Sequence, residues 1–91
     1  MSEDYIYDYD SYIRMADSHK TSAENYLLEY DFMNAKMQYE EAASIYDKAM
    51  NIAWSAGDVV RTRLAENYSS HCNIQAVEML YKDVDSYSDS F

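Results

Sequence analysis

The sequence predicts an all-α protein, an antiparallel three-helix bundle with acidic, flexible ends. Three observations carry that expectation. There is no proline and a single glycine in 91 residues, whereas strand-rich folds need turn residues every 8–12 positions or so. Apolar residues recur at alternating spacings of three and four through most of the chain. One pair, Gly57-Asp58, reads as the end of one helix and the start of the next. The length suits one domain whose core is large enough to fold alone.

The first helix is expected over about 10–33. Tyr9, Tyr12, Ala16, His19, Ala23, Tyr26 and Tyr30 form one stripe, and Ile13 and Leu27 widen it toward a core-facing band. Asp10 or Ser11 would serve as N-cap. A tight turn is placed near residues 33–38, because two shorter helices can bury their apolar faces against each other. No breaker stands there, however, and Met33 and Met37 continue the stripe. A single helix over 10–56 is therefore the alternative, and it would need a second copy of the chain to cover it.

The second helix, about 38–56, carries Tyr39, Ala42, Ala43, Tyr46, Ala49, Met50 and Ala53 on one stripe and Ile45, Ile52 and Ala56 on another. Apolar character on two sides is what the middle helix of a three-helix bundle requires. The third helix, about 59–82, has a looser inner face, read as Val60, Leu64, Tyr68, His71 or Cys72, Gln75 or Ala76, and Met79 with Leu80. Arg61 and Arg63 lie in its first turns, where the helix dipole disfavours cations. They are expected to pair with carboxylates. The organisation is thus an acidic arm (1–9), a bundle (10–82) and an acidic, serine-rich tail (83–91) expected to be disordered.

The segment YEEAASIYDKAMNIAWSAGD, residues 39–58, resembles the second helix of a tetratricopeptide repeat and the turn after it, through Tyr39, Glu40, Glu41, Ala42, Tyr46 and Ala49. It is also similar to the middle of the microtubule-interacting-and-transport domain, whose third helix residues 60–81 would match. The likeness spans about residues 23–81. It implies a helical hairpin that binds peptides or helices of other proteins in grooves between helices, without catalysis. No functional residue is carried over from either family.

Charge separates the ends from the trunk. The formal net charge is −10. Glu3, Asp4, Asp8 and Asp10 crowd the first ten residues, and Asp83, Asp85 and Asp89 the last nine, while the middle is close to balanced. Such a chain is drawn to cationic surfaces and repelled by nucleic-acid backbones and anionic membranes. There is no stretch of about eighteen apolar residues, and the first residues lack the cationic and apolar runs of a secretion signal. With one cysteine, Cys72, an intrachain disulfide is excluded, and a reducing, cytoplasmic setting is expected.

Features of catalysis or metal binding are sparse. His71 and Cys72 are neighbours about 100° apart on a helix, so they do not share one ion readily. No C-x-x-C or H-x-x-x-H spacing exists. Cys72 lies mid-helix, where nothing obvious lowers its pKa. No glycine-rich phosphate cradle or nucleophile elbow is present. The expectation is a non-enzymatic module with no catalytic residue, cofactor or metal.

Eleven tyrosines exceed the needs of so small a core, and tyrosine suits protein interfaces through its large area and polar tip. The expected partner-binding set is Glu3, Asp4, Tyr5, Tyr7, Asp8, Tyr9, Asp10, Tyr12, Trp54, Asp85, Tyr87 and Asp89. Trp54 lies beside the inner stripe and is read as capping the bundle end, with an anchoring role on a partner as the alternative. The leading function is a small acidic adaptor or inhibitor that binds another protein with a basic surface, through an inter-helix groove and the acidic, tyrosine-bearing arms. The alternative is a phage-type acidic inhibitor that mimics nucleic acid and blocks a basic nucleic-acid-binding host protein. A homodimer follows if the first two helical patterns fuse.

Overall fold

The computed structural model describes the backbone of residues 3–88 and the side chains of residues 3–84. Three helices follow one another: α1 (Asp4–Leu28), α2 (Phe32–Ser55) and α3 (Val59–Ser88). They form an all-α bundle in which α2 packs against both neighbours. That is why α2 is buried over a wide arc comprising Ala35, Tyr39, Ala42, Ala43, Ile45, Tyr46, Ala49 and Ala53. No helix among the described residues is long and apolar enough to cross a membrane.

Both connections use the same backbone device. Past α1, the N–H groups of Tyr30 and Asp31 donate to the carbonyls of Leu27 and Tyr26. Past α2, those of Gly57 and Asp58 donate to the carbonyls of Trp54 and Ala53. Each is a Schellman closure, which requires one left-handed residue. Gly57 supplies it with φ 76°, and Tyr30 supplies it with φ 59°. A tyrosine in this conformation is disfavoured by contact between its Cβ and the following carbonyl.

The first turn therefore lies at residues 29–31, earlier than the expected 33–38, and the continuous helix over 10–56 is not formed. Asp31 explains the position. Its carboxylate accepts the backbone N–H of Asn34 at 3.3 Å, capping α2. Met33 and Met37, which continue the α1 stripe in sequence, lie on the exposed side of α2.

The two ends also depart from expectation. The presumed arm is helical from Asp4, because Tyr9 is buried beside Ala49, Ala53 and Ala65 and so ties this segment to the trunk. The acidic first turn suits the positive end of the helix dipole. The presumed tail is helical through Ser88, since aspartate and serine lower helix propensity without ending a helix and no glycine or proline intervenes. Residues 89–91, including Asp89, lie outside the described residues.

The third correction concerns the inner face of α3. Thr62, Ala65, Ser69, Cys72, Ala76 and Met79 are buried, whereas Val60, Leu64, Tyr68 and Leu80 are exposed. Small and polar residues win this face because α2 brings the bulk. The Tyr46 ring fills the space beside Tyr68, with centroids 5.3 Å apart. Ser69 Oγ donates to the Ala43 carbonyl at 3.2 Å, which demands close backbone approach. A large residue at 65 or 69 would force the helices apart.

The resulting core is unusual in composition. Of fifteen buried apolar residues among those described, nine are alanines, and the large ones are Tyr9, Tyr39, Ile45, Tyr46 and Met79. Alanine contributes little burial per residue, so stability leans on the few large side chains and on helix propensity.

Candidate interaction surface

The acidic N-terminal segment is engaged with the α2–α3 turn. Tyr5 Oη donates to Asp58 Oδ2 at 3.0 Å. Asp58 Oδ1 accepts the backbone N–H of Arg61 at 3.0 Å, so Asp58 is the cap of α3. The Arg61 guanidinium reaches Asp58 Oδ2 at 2.9 Å and lies over the Tyr9 ring, 5.9 Å from its centroid. Tyr9 Oη donates to the Arg61 carbonyl at 3.1 Å. The expected carboxylate partner of Arg61 is thus its own helix cap. The donors from Arg61 and Tyr5 hold the Asp58 carboxyl below its ordinary range.

A second polar seam crosses the middle of the bundle. The Tyr46 hydroxyl, on a ring buried among α2 and its neighbours, donates to the Asp17 carboxylate on α1. Burial first, and the Asp17 bond second, push the Tyr46 pKa well above its ordinary value of 10.0. Nearby, His19 Nδ1 donates to Gln38 Oε1 at 2.7 Å. Cys72 is fully buried and its thiol pKa is raised, chiefly by that burial. His71 is exposed, so the neighbours point apart. Among the described residues no three of histidine, cysteine, aspartate and glutamate converge on a point that would hold a metal.

These contacts divide the expected partner-binding set. Tyr5 and Tyr12 are half-buried and Tyr9 is buried, all serving the fold. Glu3, Asp4, Asp8 and Asp10 are exposed, and Tyr7 is 73 % exposed. Trp54, expected to cap the bundle end, projects instead and is 69 % exposed. Asp85 and Tyr87 fall on the last turn of α3.

The structure also exposes residues that the sequence reading passed over. Sixteen large apolar side chains are exposed among those described, against five buried. Leu28 and Tyr30 project at the α1–α2 turn, and Met33 and Met37 on α2. On α3, Ile74, Val77, Tyr81 and Val84 succeed one another at spacings of three, four and three. That spacing is legible in the sequence, beside the neighbouring stripe of Leu64, Tyr68 and Leu80. Asn73, Ile74, Val77, Glu78 and Tyr81 border a shallow open hollow there. Two other open hollows are polar, one beside Ser22, Asn25 and Glu29 on α1 and one beside Arg63, Glu66 and Asn67 on α3.

No family model, no curated protein and no solved structure matches the chain.

Proposed function

We propose that this protein is a non-enzymatic helical module whose work is to bind another protein. The observation that carries the reading is the distribution of its apolar residues: alanines take most of the fully buried positions and half-buried aromatic and aliphatic residues pack around them, while sixteen large apolar side chains among those described remain exposed. A folded monomer gains nothing from exposing so many, and surplus apolar surface rimmed by polar residues marks interaction sites. Trp54 and the exposed tyrosines belong to the residue types that dominate binding energy at interfaces. The net charge of −10 favours a partner with a basic surface.

The helical likeness to peptide-binding repeat and transport domains supports the same reading at the level of architecture. The acidic segment contributes differently from a flexible arm. Held as a helix, it presents Tyr7 with Asp8 outward while Tyr5 and Tyr9 anchor it.

Capture of partners from the source cell's lysate on immobilised protein, at about 0.15 M and about 0.5 M salt, tests this. A specific protein partner retained at the higher salt supports a largely apolar interface, because surface charge attraction is strongly screened there. Partners confined to nucleic-acid-binding proteins, and lost at the higher salt, would instead support mimicry of nucleic acid. Recovery of no protein partner at either salt overturns the reading.

A further inference from the structure

The outer face of α3 has a feature that the fold does not use. Ser69 bonds to Ala43 across the antiparallel α2–α3 pair, which fixes their register. Eleven residues back from Ala43 is Phe32, the start of α2, and eleven forward from Ser69 is Leu80. The last eight residues of α3, Tyr81–Ser88, therefore run past the end of α2 for about 12 Å at 1.5 Å per residue. Helices depend mainly on tertiary packing of an apolar face, and by this register the backbone of α2 does not run alongside the overhang. Yet an apolar stripe leads onto it. Ile74, Val77, Tyr81 and Val84 are each 54 % exposed or more and lie roughly opposite the buried Cys72, Ala76 and Met79. Over about one and a half heptads their three-four-three spacing matches that of a coiled-coil seam, with Ile74 and Tyr81 at one heptad position and Val77 and Val84 at the other.

Charge selects the occupant. From residue 64 to residue 88, α3 carries Glu66, Glu78, Asp83 and Asp85 against the single base Lys82. Glu78 borders the same hollow as Ile74, Val77 and Tyr81. Glu78 and Asp85 fall one residue after the seam positions Val77 and Val84, where flanking charges set partner choice. Antiparallel pairing with a second copy would set acid against acid along this flank, on top of the repulsion between two chains of charge −10. A helix with cations beside its seam meets no such penalty.

We propose that the Ile74–Val77–Tyr81–Val84 strip of α3 docks an amphipathic helix of another protein whose apolar seam is flanked by lysine or arginine. The proposal rests on the protein-binding reading above and names the surface and the chemistry of its partner. Docking covers the strip and extends along the overhanging turns, where the backbone of α2 does not run.

The test uses two synthetic amphipathic peptides of about three heptads with the same isoleucine and leucine seam, one flanked by lysine and one by glutamate. Binding to the full chain is followed by calorimetry at about 50 mM salt. The lysine-flanked peptide is expected to bind at least about tenfold more tightly than the glutamate-flanked one, with the difference narrowing at 0.5 M salt. Val77→Asp is expected to weaken binding at least tenfold while leaving the thermal melt in place, because Val77 faces away from the core. Glu78→Lys is expected to shift preference toward the glutamate-flanked peptide. Equal affinity for both peptides, no binding of either, or binding indifferent to Val77→Asp overturns the proposal. So does a wild-type dimer, seen by sedimentation, that Val77→Asp converts to monomer, since the occupant is then a second copy. If Val77→Asp leaves a captured cellular partner bound, the strip fails while the protein-binding reading stands.

Discussion

Replacing Tyr46 by phenylalanine isolates the polar seam between α1 and α2. The ring is 2 % exposed and packs at a tilt beside Tyr68, so phenylalanine retains the packing and deletes only the hydroxyl that donates to Asp17. A hydrogen bond to a charged group contributes about 1.5–3 kcal/mol, and Asp17 is exposed enough for water to replace the donor, which favours the lower end, about 1.5 kcal/mol at pH 7. The pH dependence provides a second and sharper signature. Folding raises the Tyr46 pKa above its ordinary 10.0. The stabilisation is therefore complete below pH 10 and is withdrawn as pH rises above 10, because only the unfolded chain then releases the proton. The withdrawal approaches about 1.4 kcal/mol per pH unit for one proton. Phenylalanine has no proton to lose, so the deficit of Y46F narrows from about 1.5 kcal/mol at pH 7 to about half that at pH 10.5. Urea denaturation followed by circular dichroism at pH 7, 9 and 10.5 measures both quantities. A deficit that stays constant across this range would refute the assignment of a buried, protonated hydroxyl to Tyr46.

Three further outcomes follow from particular contacts. Gly57→Ala is expected to cost about 1–2 kcal/mol in thermal or chemical unfolding, although nothing lies within 4 Å of the added Cβ, because φ 76° is the whole of the penalty; a neutral result contradicts the left-handed closure. Cys72 is fully buried with its thiol pKa raised, so an aromatic disulfide reagent should label it only through opening of the bundle, far more slowly than in urea. Labelling at the rate of a free thiol would contradict that burial. Asp58, whose pKa is depressed, contributes stability above its ordinary 3.8 that is lost as pH falls through the lower folded value. Asp58→Asn keeps a capping side chain, so it should flatten the acid limb of a melting-temperature profile below pH 4 and loosen amide protection near Tyr5, and an unchanged limb would contradict the Tyr5–Asp58–Arg61 arrangement.

The helical class and the α2–α3 turn were legible because their signals are local. Three-four periodicity, absent breakers and Gly57 before a capping Asp58 each act within a few residues. The first turn was misplaced because its closure uses Tyr30 in a glycine's conformation, and propensity gives no warning of that. Asp31 was the available signal, three residues before Asn34 whose N–H it caps. The ends were misread for a different reason. Density of acids and tyrosines suggests disorder, but Tyr5 and Tyr9 find partners more than fifty residues away, at Asp58 and Arg61. The inner face of α3 holds as expected at Cys72, Ala76 and Met79 and departs at Val60, Leu64, Tyr68 and Leu80, where larger apolar residues were expected to point inward. Beside a helix that presents Tyr39 and Tyr46, mostly small residues fit, with Met79 the large exception, and Leu64 and Val77 are left outside. The candidate surface was visible as spacing and hidden as burial, since sequence alone does not say which of two apolar stripes a neighbour covers.

Whether this molecule acts through apolar surface kept outside an alanine core is read by hydrogen exchange on the protein alone and on the complex isolated with its cellular partner. New amide protection is expected along residues 74–88 of α3, extending into the overhang, with the segment around Tyr46 unchanged. Protection that instead appears around Asp17, Tyr46 and Cys72, with α3's outer face exchanging as freely as before, would contradict it.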